Sequence, residues 1–135
     1  MGLAIEQRER EGIIILDLKG RITVGAEATS MRERLRAQAA AGSLNFILNL
    51  RDVDYIDSTG LGAMVVCFTS LRKLGGKLKL ENLNRRNIEL LVLTKLTTVF
   101  EIFDDEQDAV NSFFPGREIK RFDILSFVKE QASGE

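Results

Sequence analysis

The segment best equipped for chemistry is residues 55–62, YIDSTGLG, which sets one carboxylate and two hydroxyls between a strand pattern and a helix pattern. Asp57, Ser58 and Thr59 thus stand at a helix N-terminus, where free backbone N–H groups and the helix dipole favour an anion. Ser58 has two compatible interpretations. As an N-cap, it would accept a hydrogen bond from a backbone N–H of the first turn. As a modification site, it would carry a phosphate, which adds roughly −1.5 to −2 charges beside Asp57.

Nucleophilic catalysis by Ser58 is disfavoured by what the chain lacks. The sequence contains no histidine, which removes Ser-His-Asp and Cys-His arrangements, His-containing zinc sites and the commonest general base near neutral pH. No nearby lysine is placed by the sequence to act as the base, and the GxSxG elbow is absent. Residues 75–77, GGK, lack the spacing of a phosphate-binding loop. We therefore predict no enzyme, no cofactor and no metal site.

The composition is that of one compact domain, with 135 residues of which 44% are hydrophobic and 29% charged. Because 19 Lys and Arg oppose 20 Asp and Glu, no overall field would attract nucleic acid or an anionic membrane. The single cysteine, Cys67, lies in an apolar run and is expected to be a small buried hydrophobe. With neither a signal peptide nor a transmembrane pattern, the chain is expected to be cytoplasmic.

Hydrophobic periodicity predicts alternating strands and helices. The strands are expected at residues 3–9, 13–18, 46–50, 77–83 and 99–103, with 77–83 half-exposed and a polar turn at 51–54 separating 46–50 from Tyr55 and Ile56. Helical spacing is carried by the sets Ala28/Met31/Leu35/Ala39, Leu61/Met64/Val65/Phe68/Leu71, Ile88/Leu91/Val92/Lys95 and Ala109/Val110/Phe113/Phe114. The order ββαβαβαβα predicts an α/β fold with a largely parallel sheet.

The C-terminal part is expected to be an appendage. Pro115 and Gly116 form the strong break, so residues 1–114 are predicted to be the domain and residues 115–135 a helical extension and tail. Phe122, Leu125 and Val128 predict one short helix there. Its apolar residues would pack within the chain, covering the open face of the sheet, or else join two copies as a homodimer.

Together these features resemble a known family. The ββαβαβαβα order, residues 20–22 (GRI), 57–62 (DSTGLG) and 75–78 (GGKL) resemble the STAS domain and, more narrowly, a bacterial anti-sigma factor antagonist, from about residue 3 to residue 114. The resemblance implies a mixed sheet with helices mainly on one face. It also implies a protein that, when unphosphorylated, binds an anti-sigma factor serine kinase of the GHKL ATPase fold and so frees a sigma factor.

The resemblance also implies which residues act. The kinase would phosphorylate Ser58, with Thr59 the less favoured acceptor, and a serine phosphatase would restore the active form. The expected partner-binding residues are Thr23, Asp57, Ser58, Thr59, Gly60, Leu61 and Gly62. Helical spacing alone would instead bury Leu61 in the core.

Two points stay open. Family members often carry an acidic residue in the loop after the second strand, where this chain has residues 23–25, TVG, so the partner kinase is not identified. The alternative function is a constitutive scaffold or adaptor of a signalling or transport assembly, for which phosphorylation would be irrelevant. The two hypotheses differ in whether an acidic substitution of Ser58 abolishes partner binding.

Overall fold

Residues 2–133, which the computed structural model describes, form five strands and five α-helices. The strands are β1 (Leu3–Arg10), β2 (Ile13–Ile22), β3 (Asn45–Ile56), β4 (Lys77–Glu81) and β5 (Ile102–Phe103). The helices are α1 (Ala26–Ala40), α2 (Ser58–Lys73), α3 (Arg85–Leu93), α4 (Glu106–Asn111) and α5 (Ile124–Ser133), and a 3-10 turn at Leu96–Thr98 precedes β5. The predicted order of strands and helices is confirmed.

The sheet is mixed, in the order β1-β2-β3-β4-β5. Strands β1 and β2 are antiparallel, whereas β2, β3, β4 and β5 run parallel to one another. Glu11 and Gly12 make the hairpin turn, and both have positive φ, as a two-residue turn between twisted strands requires. The parallel arrangement brings the carboxyl ends of β2 and β3 to one edge, where the loops that follow them meet.

Most helices lie on one face of the sheet. Helices α1, α2 and α3 cover a large core that includes Met31, Leu48, Met64 and Leu91. Helix α4 lies on the opposite face, where Ala109 and Val110 join a smaller cluster whose sheet residues are Ile13, Ile15, Ile47 and Phe103. The predicted mixed sheet with helices mainly on one face is therefore confirmed.

The chain beyond residue 115 packs beside the larger core. Phe122, Ile124 and Phe127 contact that cluster, and the Phe122 N–H donates to the Ile102 carbonyl at 3.0 Å. This places the extension next to β5 on the side of α1 to α3, not over the opposite face as one expectation had it. Leu125 and Val128 of α5 remain exposed.

Two local predictions were wrong. Residues 51–54 do not form a turn, because β3 continues through them while pairing with an irregular stretch of β2, and Val53 is fully buried. Strand β4 is not half-exposed, because β3 and β5 flank it and α4 covers the face that carries Lys79 and Glu81. Polar residues at alternate positions therefore resembled an exposed strand face.

The polar residues of β4 are buried in different ways. The Lys79 ammonium donates to the Ser112 hydroxyl at 2.9 Å and pairs with Glu101 at 3.0 Å. Glu81 is 0% exposed, and neither of its carboxylate oxygens has a hydrogen-bond partner among the described residues. Burial raises the pKa of Glu81, and the nearby Glu106 carboxylate raises it further. The folded protein therefore favours a neutral, protonated Glu81.

Stability should fall as the pH rises because of Glu81. Its raised pKa means that the folded chain holds a proton that the unfolded chain releases above the ordinary glutamate range near pH 4.3. Each unit of pKa elevation corresponds to about 1.4 kcal/mol lost once the group is forced to ionise. Glu81→Gln should flatten this decline in urea unfolding measured from mildly acidic to mildly alkaline pH. Glu9→Gln, at an exposed position of β1, is the matched control, and an unchanged slope in Glu81→Gln would contradict the assignment.

Candidate functional site

Asp57 caps helix α2. Its backbone is extended, with φ −90° and ψ −179°, and its Oδ1 accepts a hydrogen bond from the Gly60 N–H at 2.7 Å. The interpretation of Ser58 as the N-cap is therefore wrong. An N-cap lies just outside the helix with extended geometry, and that position belongs to Asp57, whereas Ser58 is already the first helical residue.

The same carboxylate ties a second loop to the start of α2. Asp57 Oδ2 accepts from the Val24 N–H at 3.0 Å, in the loop between β2 and α1. The Asp57 N–H in turn donates to the Ile22 carbonyl at 3.2 Å. The Gly60 N–H, followed by the Val24 N–H, lowers the pKa of Asp57 by stabilising the charged form. The carboxylate is thus a fixed negative charge next to Ser58.

The two glycines of the motif serve different purposes. A Cβ placed on Gly60 would lie 1.9 Å from the Ile22 carbonyl oxygen, so this position admits only glycine without a shift of the backbone. A Cβ on Gly62 would meet nothing within 4 Å. Gly60 therefore allows α2 to approach the end of β2, whereas Gly62 is an exposed gap in the helix surface.

The predicted partner-binding residues divide into a buried and an accessible group. Gly60 is buried and Leu61 is only 7% exposed, so both support the surface from beneath. Ser58, Thr59 and Gly62 are exposed on the first two turns of α2. Thr23 and Asp57 are half-buried and complete the accessible group. The hydrogen bond from the Val24 N–H to Asp57 holds the loop that contains Thr23 beside the start of α2.

Two residues at this surface were missed by the sequence analysis. Val24 is 66% exposed and donates its N–H to Asp57. Glu27 accepts a hydrogen bond from the Thr23 hydroxyl at 3.1 Å, which brings an acidic side chain to a loop that has none. The four-residue spacing of Thr23 and Glu27 was a usable signal. The contact between Val24 and Asp57 spans 33 positions and left no local pattern.

The arrangement suits a modified or bound hydroxyl better than a nucleophile. Ser58 is exposed, and its side chain makes no hydrogen bond to any other described residue.

Within residues 2–133, no group of three His, Cys, Asp or Glu side chains is placed to hold a metal ion. In the same range, no helix has the length and apolar character needed to cross a membrane.

The cap can be tested by a pair of alanine substitutions. Asp57→Ala removes the acceptor for Gly60 and Val24 and should lower the free energy of unfolding by about 0.5–2 kcal/mol. Ser58→Ala, one position later, should change it by less than about 0.5 kcal/mol because the hydroxyl holds no described partner. Urea denaturation monitored by circular dichroism measures both, and equal losses would contradict the assignment of the cap to Asp57.

The glycines offer a second matched pair. Gly60→Ala should cost about 1–3 kcal/mol or more, because the added methyl collides with the Ile22 carbonyl. Gly62→Ala should be neutral or stabilising by up to about 1 kcal/mol, since alanine is the better helix former and the space is open. Thermal unfolding measures both effects. The midpoint temperature of Gly60→Ala should lie below that of wild type, and that of Gly62→Ala should be equal to or above it.

Comparison with known proteins agrees with this geometry. The family model of the STAS domain matches residues 4–109. The chain is 38% identical over 102 residues to the anti-sigma-B factor antagonist of Bacillus subtilis, covering 76% of this chain and 92% of that protein.

Solved structures share the fold. A crystal structure of an anti-sigma factor antagonist from Mycobacterium paratuberculosis superposes with a TM-score of 0.71 at 16% identity, covering 82% of this chain and 93% of that one. The anti-sigma factor antagonist SpoIIAA of Bacillus, in its unphosphorylated form, gives a TM-score of 0.64 at 16% identity, covering 83% and 99%. Its phosphorylated form gives 0.65, covering 82% and 99%. With its sheet, its capped DSTGLG turn and these relatives, the chain belongs to the STAS domain family, among the bacterial anti-sigma factor antagonists.

Proposed function

We propose that this protein is an anti-sigma factor antagonist that acts by partner switching in the cytoplasm. The unphosphorylated form binds an anti-sigma factor, a serine kinase of the GHKL ATPase fold, and thereby releases a sigma factor. Phosphorylation of Ser58 ends the binding, and a serine phosphatase restores it. The protein is a substrate and a binding partner in this scheme, not a catalyst.

The observation that carries the proposal is the position of Ser58. Its side chain is exposed on the first residue of α2, next to the capping carboxylate of Asp57. A kinase can therefore reach the hydroxyl without opening the fold. The hydroxyl has no structural hydrogen bond among the described residues to give up, so modification removes no stabilising contact. Thr59 is also exposed. The mapping of phosphosites described below distinguishes phosphorylation of Thr59 from phosphorylation of Ser58.

The negative charge explains how binding would be turned off. Asp57 is held ionised by the Gly60 and Val24 N–H groups, which lower its pKa. A phosphate on Ser58 adds roughly −1.5 to −2 charges beside it. Burying both groups against a partner would cost desolvation energy and repulsion that the neutral serine avoids. The solved forms of SpoIIAA, phosphorylated and unphosphorylated, match this fold almost equally, which supports a change of surface charge over a change of fold.

The surrounding surface has features expected of a docking face. Val24 presents an exposed apolar side chain in the loop that is hydrogen-bonded to Asp57, the neighbour of Ser58 in the chain. Gly62 leaves an exposed gap on α2, where glycine costs about 1 kcal/mol of helix stability relative to alanine. Such a gap permits close approach of a partner's backbone. We propose that contact is made through the accessible residues of this surface, with Gly60 and Leu61 as buried supports. The accessible residues are Thr23, Val24, Asp57, Ser58, Thr59 and Gly62.

The C-terminal extension has a supporting part in this proposal. Residues 1–114 would form the switching domain, and residues 115–135 an appendage that packs through Phe122 and Phe127. A homodimer formed through the exposed Leu125 and Val128 is the alternative use of α5.

Paired baits test the proposal. Full-length Ser58→Ala and Ser58→Glu proteins are incubated with native lysate, and the retained proteins are identified by mass spectrometry while phosphosites are mapped on the endogenous protein. The expected result is a GHKL-type kinase retained by Ser58→Ala and lost by Ser58→Glu, with phosphate on Ser58. Since Ser58→Ala leaves the cap intact, its retention cannot be attributed to altered folding.

The matched controls are Thr59→Ala and Thr59→Glu. Both residues are exposed and adjacent, so they separate a specific effect of Ser58 from a general effect of charge. If both Ser58 baits hold the same proteins and Ser58 is never modified, the constitutive scaffold or adaptor function replaces partner switching. Phosphate on Thr59 alone would assign the phosphorylation site to Thr59 instead of Ser58.

A further inference from the structure

A groove runs between α1 and α2, which line its two sides, on the surface turned away from the sheet. Its volume is about 370 Å³, within the range of small-molecule sites. The buried side chains of Leu35, Cys67 and Leu71 form an apolar floor. Val66 and Leu74 line the rim and are 48% and 59% exposed, respectively. The site is therefore an open apolar trough between two helices that pack directly on each other.

Two arginines give the groove its charge. Arg32 and Arg36 line it, and no carboxylate-bearing residue does. Neither guanidinium forms an ion pair among the described residues, whereas Arg8 and Arg10 both pair with Glu106. Burial raises the pKa of Cys67 to about 11 despite both arginines, so the thiol stays neutral at physiological pH. The groove thus carries two positive charges over an uncharged floor.

Size and charge limit the occupant. A volume of about 370 Å³ is that of a small-molecule site and accommodates a single hydrocarbon chain. A second copy of this chain laid groove to groove would bring two further arginines to a groove that already carries two positive charges, which is unfavourable. A single hydrocarbon chain with an anionic end satisfies both limits. Arginine also matches the geometry of carboxylates and phosphates.

We propose that the α1–α2 groove binds a free single-chain amphiphile with an anionic head, such as a fatty-acid carboxylate. The chain lies on Leu35, Cys67 and Leu71 between Val66 and Leu74, and the head group accepts hydrogen bonds from Arg32 and Arg36. This binding does not depend on the proposed function, because Ser58 does not line the groove.

Titration calorimetry and amide NMR of the full chain test the site with decanoate, kept below its micelle-forming concentration. We expect one saturable site tighter than about 1 mM, with shifts confined to α1 and α2. Octanoate and hexanoate should bind progressively more weakly, by up to about fourfold for each methylene removed. Decylammonium, with the same chain and the opposite charge, should bind at least about tenfold more weakly than decanoate.

Variants assign the contacts. The double substitution Arg32→Gln with Arg36→Gln should weaken decanoate binding by about tenfold or more, whereas Arg21→Gln with Arg51→Gln, at exposed positions outside the groove, should not. Ser70→Phe, which fills the groove from an exposed position, should abolish binding while leaving the thermal unfolding temperature unchanged. Ser58→Glu should bind decanoate like wild type.

Several results would overturn the proposal. They are the absence of saturable decanoate binding, equal binding of decylammonium, and insensitivity to the arginine pair or to Ser70→Phe. A fourth is co-sedimentation with vesicles of anionic phospholipid without binding of free decanoate, which would assign the groove to a membrane surface.

Discussion

The carboxylate of Asp57 organises the functional end of the molecule. It accepts one hydrogen bond from the first turn of α2 and another from the loop after β2, while its own N–H donates to the end of β2. Two segments that are distant in sequence, the start of α2 and the end of β2 with its following loop, are thereby held together by one residue. The close approach at Gly60 is the steric counterpart, because any larger residue would push α2 away from the Ile22 carbonyl. Ser58 owes its fixed position to these two constraints.

Much of the fold was predictable because its signals are local. Apolar spacing indicated α1 through α4. In the structure Asn84 and Asp105 cap α3 and α4, where the side chain of each accepts a hydrogen bond from a backbone N–H. The errors concern long-range burial. Lys79 and Glu81 suggested an exposed face, since nothing in β4 itself reveals that α4 covers it. The continuous β3 was missed because the three charged residues Arg51, Asp52 and Asp54 resemble a turn until the pairing of this stretch with β2 is known.

The sequence predicted the turn at which α2 begins, but not the structural roles of its residues. The motif DSTGLG was correctly placed at the start of a helix, yet the cap belongs to Asp57, and Leu61 lies in the core. A serine and an aspartate are comparable N-caps, so the sequence could not decide between them until the backbone angles at residue 57 were known. Val24 escaped notice because its role comes from a backbone N–H, and side-chain identity carries no signal of that contact.

Ser58 is the first residue of a helix whose capping carboxylate is also bound by the Val24 N–H, in a loop 33 positions away. A short peptide spanning residues 52–64 would lack that loop and would lose both the helix and the fixed orientation of the hydroxyl. An enzyme that modified Ser58 as proposed would therefore recognise a folded surface, not a linear sequence motif.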